Sequence, residues 1–136
     1  MARNTARPMS PHITVWKWGP HMTVSILNRV MGVGLATVGV LALTLWLVAL
    51  ASGASAYADF MALATGWFGT VIAVGLSFAF FLHLCAGLRH FVMDAGAGFE
   101  LTTNRAWAWG SIIAPILMTA ALWLFIFRQL IFGGMF

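Results

Sequence analysis

Polar residues in this chain are gathered into narrow bands, and three long stretches between them carry no charge at all. Residues 30–51 are uncharged over 22 positions, residues 60–88 over 29, and residues 106–127 over 22. The hydrocarbon layer of a bilayer is about 30 Å thick and takes about 20 apolar residues of helix to cross. The pattern predicts an all-α integral membrane fold of three transmembrane helices in an up-down-up bundle. The spans cover about 21–51, 60–90 and 106–130, after an N-terminal segment 1–20, all within a single membrane domain 1–136. The first helix is expected to begin near Pro20, because proline suits the first turn, where its missing N–H has no partner to lose. A helix over 21–51 is about 46 Å long, so its first two turns, with Ser25 and Arg29, fall in the headgroup region. Residues 52–59 (SGASAYAD) start a short polar loop, and Pro115 lies inside the third span, where neighbouring helices tolerate it.

Composition removes the soluble alternatives. The chain is 62% hydrophobic and 7% charged, whereas about a quarter of the residues of a soluble domain are charged. The net charge is +4, yet no Lys/Arg run or aromatic-interleaved basic patch marks a nucleic-acid surface. The positive residues instead bear on orientation. Arg3, Arg7, Lys17 and Arg29 precede or open the first span, Arg89 and Arg105 bracket the connection between spans two and three, and only Arg128 falls on the other side. By the positive-inside rule the N-terminus is expected in the cytoplasm. MARNTARPMSPH lacks the apolar core of a signal peptide, so the first span is expected to direct insertion. The single cysteine, Cys85, forms no intrachain disulfide and is expected to pack as a small hydrophobe. Most tryptophans, among them Trp16, Trp18, Trp67, Trp107, Trp109 and Trp123, are read as interfacial anchors.

The candidate chemistry lies in polar residues at membrane depth, whose burial something must offset. Helical spacing puts His83, Gly87, His90 and Asp94 on one face, with His83 about two turns inside the membrane. Gly87 leaves room beside His83 for something flat. Three readings of His83 stand together: an interhelical hydrogen bond, a proton relay, or an axial haem ligand. His90 lies seven residues along the same helix, too far to close over one iron, and His12 and His21 precede the membrane, so a second ligand is expected from a partner subunit. Ser25 and Arg29 share a helix face four residues apart. They can hold the polar head of a lipid-soluble ligand or the carboxylates of a haem. Equally, Arg29 can snorkel to lipid phosphate while Ser25 bonds to its own helix. Gly32, Gly34 and Gly39 thin the first helix for close packing.

Three segments carry a family resemblance. RPMSPHITVWKW (7–18), SILNRVMGVGL (25–35) and HLCAGLRHFVMDAG (83–96) resemble the cytochrome b membrane-anchor subunits of succinate dehydrogenase, respiratory complex II. The order and spacing of the motifs match over nearly the whole chain. The resemblance implies that His83 is an axial ligand of haem b, with the other histidine supplied by a second three-helix anchor subunit packed against this one. It implies that Ser25 and Arg29 contact ubiquinone, that Arg29 also lies near the haem propionates, and that Asp94 stands on the proton-entry side. RPMSPH is implied to dock the iron–sulfur subunit. FAD and iron–sulfur clusters are implied only in the flavoprotein and iron–sulfur partners, and the location is the bacterial cytoplasmic (inner) membrane. Many members carry histidine where this chain has Asn28, which can donate a hydrogen bond to a propionate but cannot be cationic.

The expected function is a haem- and ubiquinone-binding anchor that passes electrons from the iron–sulfur subunit to ubiquinone and tethers the catalytic subunits, inactive on its own. Quinone reduction needs a donor to the carbonyl, a positive charge for the developing anion, and a proton supply, and Ser25, Arg29 and the membrane edge match these in type. Two alternatives are the anchor of a menaquinone-linked fumarate reductase and a proton-coupled transporter. The second lacks a mid-span acid, because Asp59, Asp94 and Glu100 all sit near span ends.

Overall fold

A computed structural model describes His12 and residues 16–132 of the chain, the side chains of residues 130–132 excepted. Every regular element among them is helical. The first span is one continuous rod built of α1 (Pro20–Gly34), a π-helical turn (Leu35–Gly39) and α2 (Val40–Ala51). It is followed by α3 (Ala54–Thr65), α4 (Trp67–Asp94) and α5 (Leu101–Phe132). Three helices are long and apolar enough to cross a membrane: Pro20–Ala51, Trp67–Asp94 and Leu101–Gln129.

Pro20 is the first residue of α1, with Gly19 as its N-cap, as the missing proline N–H leads one to expect. The π turn is marked by the Val40 N–H, which reaches back five residues to the Leu35 carbonyl. Beside it the Thr37 hydroxyl donates to the Val33 carbonyl at 2.8 Å, a side-chain bond of the kind that loosens a helix locally.

The second span differs from the stretch 60–90, and the polar loop opening at 52 is shorter than expected. Ala54–Thr65 forms its own helix, about 18 Å long at 1.5 Å per residue, which is too short to cross. The chain then breaks at Gly66 in extended conformation, and Gly66 caps α4. A charge-free run shows where helix can sit in lipid, not where the backbone bends. Gly69 makes this corner possible, because a Cβ there would collide with the Ala64 carbonyl oxygen. At its other end α4 runs on to Asp94, and α5 starts at Leu101 rather than 106. The Arg89–Arg105 connection thus shrinks to residues 95–100, where Gly96 and Gly98 adopt φ of 81° and 77°, a region that costs other residues strain.

The three spans meet around Val24, Ala86 and Ala108, one from each, with Ile112 packed against them. Ala86 and Ala108 are fully buried, and such small residues let helix backbones approach closely where no hydrophobic effect drives them together. Pro115 is fully buried within an unbroken α5. Trp123 is half-buried and donates its indole N–H to the Ser77 hydroxyl at 3.3 Å, tying α5 to α4. The start of α1, the end of α4 and the start of α5 share one end of the bundle. That end holds Arg29, Arg89, Asp94 and Arg105.

Candidate functional site

The first and second spans are joined at this end by the two motifs singled out in the sequence. The His83 Nδ1 lies 3.3 Å from the backbone carbonyl oxygen of Asn28. A carbonyl can only accept, so Nδ1 carries the proton and Nε2 keeps its lone pair. Metal-ligating histidines are prepared in this way, with one ring nitrogen anchored and the other left basic.

Gly32 makes the contact possible. A Cβ at Gly32 would meet His83 Cε1 at 3.1 Å and Nδ1 at 3.3 Å. The sequence assigned Gly32 to helix packing in general; its specific partner is the histidine ring. Gly34, by contrast, has nothing within 4 Å of a would-be Cβ, and Gly39 faces Leu76.

His83, His90 and Asp94 are all exposed, and Gly87 opens onto free space. The face predicted from helical spacing therefore points away from the bundle. His90 turns its Nδ1 to the Ala86 carbonyl at 2.7 Å, one turn back on its own helix. Asp94 is the last residue of α4. Among the described residues no three His, Cys, Asp or Glu side chains gather as a metal site.

Ser25 and Arg29 both lie on α1. Hydroxyls inside the helices of this chain habitually bond to the carbonyl four residues back: Thr23, Thr37, Thr44, Ser52, Thr65, Ser77, Ser111 and Thr119 all do so. Ser25 is well inside α1, yet its hydroxyl makes no such bond; the other described serine and threonine hydroxyls without one, Ser55, Thr70, Thr102 and Thr103, sit in first turns, and Thr70 reaches the Thr65 carbonyl five residues back instead. The Ser25 hydroxyl is therefore not engaged by its own helix. Arg29 is exposed and has no ion pair among the described residues. Asn28 is half-buried, and its side-chain oxygen is buried without a partner. Of the RPMSPH segment only His12 is described; residues 7–11 lie outside the described residues.

Arg89 escaped the sequence reading, which counted it as a flanking charge. It is 7% exposed and donates through Nη2 to the Asn104 side-chain oxygen. The available signal was its spacing from Leu82 and Ala86, which places all three on the inward face of α4.

Residues 3–127 match the family described as succinate dehydrogenase/fumarate reductase transmembrane subunit. The chain belongs to that family. It is similar to the succinate dehydrogenase cytochrome b556 subunit of Paracoccus denitrificans, 33% identical over 123 residues, covering 88% of this chain and 94% of the relative. The cytochrome b556 subunit of Rickettsia felis is 36% identical over 118 residues, covering 86% and 90%. The cytochrome b560 subunit of Reclinomonas americana is 34% identical over 131 residues, covering 89% and 87%. The resemblance seen at residues 7–18, 25–35 and 83–96 thus holds across the chain, which is a cytochrome b-type anchor subunit of complex II and part of an enzyme complex.

Proposed function

We propose that this chain is the haem b- and ubiquinone-binding anchor of a succinate dehydrogenase, with its N-terminus in the cytoplasm of a bacterial inner membrane. It passes electrons from the iron–sulfur subunit to ubiquinone and tethers that subunit and the flavoprotein to the membrane. The observation that carries the haem assignment is the anchored His83 ring. Nδ1–H is held by Asn28, Nε2 is free, and the ring stands on an outward face with Gly87 open beside it. These residues fit a planar group shared with a second anchor subunit. Haem b, when bound, supplies a one-electron carrier beside the quinone site. Asn28 and Arg29 are the groups of this chain that would face its propionates.

Ubiquinone takes up two electrons and two protons. Ser25 offers an uncommitted O–H to one quinone carbonyl, and the unpaired guanidinium of Arg29 offsets negative charge as electrons arrive. The N-terminal dipole of α1 acts in the same sense. Asp94, exposed at the same end of the bundle, can relay protons from the aqueous phase. All the relatives named above are succinate dehydrogenase subunits, which favours succinate oxidation over the fumarate reductase reading.

Two substitutions test the assignment in the assembled complex. His83→Leu abolishes or strongly perturbs the reduced-minus-oxidised b-type spectrum; an unchanged spectrum sinks the ligand role. Arg29→Leu lowers ubiquinone reductase activity by about tenfold or more, the scale of a lost charged contact. Succinate oxidation by a soluble artificial acceptor stays intact in that variant. Equal loss of both activities would mean failed assembly instead.

A further inference from the structure

A groove of about 460 Å³ runs between α4 and α5 on the outside of the bundle. Its lining includes Arg89, Ala106, Trp107, Gly110, Ser111 and Ala114. We propose that it binds one anionic phospholipid, with the phosphate on Arg89 and Trp107 and an acyl chain lying over Gly110 and Ala114.

Three observations carry this. The first is an unneutralised cation. Arg89 is 7% exposed, its only partner among the described residues is the neutral amide of Asn104, and its Nε is buried with no partner among them. A buried charge without a counter-charge is strongly unfavourable, and no carboxylate pairs with it among the described residues. A guanidinium matches a phosphate oxygen pair in both charge and shape. The indole N–H of Trp107, a residue about half exposed, has no partner among the described residues and adds a second donor.

The second is polarity along the groove. Arg89 pairs with Asn104 in the first turn of α5, at the membrane edge. Ala106, Gly110 and Ala114 follow on one stripe of α5 and reach about 12 Å deeper. The charged end thus lies at the edge and the smooth apolar end lies inward, the polarity of a phospholipid. An uncharged isoprenoid quinone would leave Arg89 unneutralised.

The third is location. Cys85 and Leu88, on the α4 wall of the groove, lie about 140–200° around the helix from His83 at 3.6 residues per turn. The groove therefore faces away from the side where a second anchor would meet His83 and Gly87.

The test uses the assembled complex, stripped with detergent, returned to phosphatidylcholine vesicles containing a minor fraction of phosphatidylglycerol, and extracted again. Lipid mass spectrometry counts the phosphatidylglycerol retained per copy of the chain. Wild type retains it saturably and in preference to phosphatidylcholine. Arg89→Gln and Gly110→Leu each reduce retention by about tenfold, as expected for loss of a charged contact or of the chain slot. If Arg89→Gln fails to assemble, Gly110→Leu still decides. A Cβ at Gly110 meets nothing within 4 Å, so the leucine fills the groove and leaves the Arg89–Asn104 pair in place. Equal retention by wild type and Gly110→Leu overturns the proposal. So does displacement of the lipid by inorganic phosphate, or loss of subunit assembly in Gly110→Leu, which would mark the groove as a protein contact.

Discussion

At the scale of single residues, the pair Gly32 and His83 shows how little space the site leaves. The ring stands within ordinary contact of a helix backbone only because no Cβ intervenes. Gly32→Ala places a methyl carbon 3.1 Å from Cε1, so the ring must retreat by a few tenths of an ångström and its bond to the Asn28 carbonyl lengthens. Loss of such an outer contact commonly costs 10–100-fold in affinity for the ligated group. The expected result is a complex with a lowered haem-to-protein ratio for Gly32→Ala and almost none for Gly32→Val, measured by the pyridine haemochrome assay. Normal haem content in Gly32→Val would show that the ring does not depend on this approach. His83, Ser25 and Arg29 drew attention in the sequence because polar groups in or at the edge of the membrane stand out against an apolar background. Gly32 was not, because a glycine gives no sign of which side chain fills the room it leaves. Arg89 was misread for a related reason. Sequence marks it as a charge near a span end, and only the packing of α5 shows that it is buried.

At the scale of elements, three charge-free runs fix the number of spans, and that part was plain in the sequence. The ends of the spans were not. Hydrophobicity continues across the corner at Gly66, so α3 and the start of α4 read as one stretch although the chain bends there. The bend is recorded in glycine placement, whose meaning appears only in three dimensions. Gly69 and Gly75 both lie in α4, yet they predict opposite outcomes. At Gly69 an added methyl collides with the backbone of Ala64, whereas at Gly75 it meets nothing within 4 Å. Gly69→Ala should therefore destabilise by about 1–3 kcal/mol, the usual cost of overpacking. Gly75→Ala should be neutral or stabilising by up to about 1 kcal/mol, the helix preference of alanine over glycine. Unfolding of the detergent-solubilised complex by added SDS measures both. Equal destabilisation by the two substitutions would mean that the α3–α4 corner is not set by close approach at Gly69.

At the scale of the molecule, the outward direction of the site decides what the chain can do alone. His83, His90 and Asp94 are exposed in the single chain, and much of the surrounding surface is large and apolar, including Leu84 and Phe91. Lipid can cover the apolar part, but it cannot supply a second nitrogen to a group ligated by His83. Within the chain, His90 lies about 10 Å further along α4 and is turned back to the Ala86 carbonyl. His21 sits on α1 at the bundle's end, with Nδ1 buried. Neither can close a site whose other wall is open. The chain expressed without the second anchor should insert into the membrane, because its three spans need no partner to satisfy their backbone hydrogen bonds. It should then hold little haem. Co-expression of the second anchor alone, without the flavoprotein and iron–sulfur subunits, should restore a b-type reduced-minus-oxidised spectrum. His83→Leu should prevent that recovery, and Arg29→Leu, which leaves the ligand in place, should not. A full spectrum from the isolated chain would place both axial ligands within it, and would move the haem from the junction between two subunits to the interior of one.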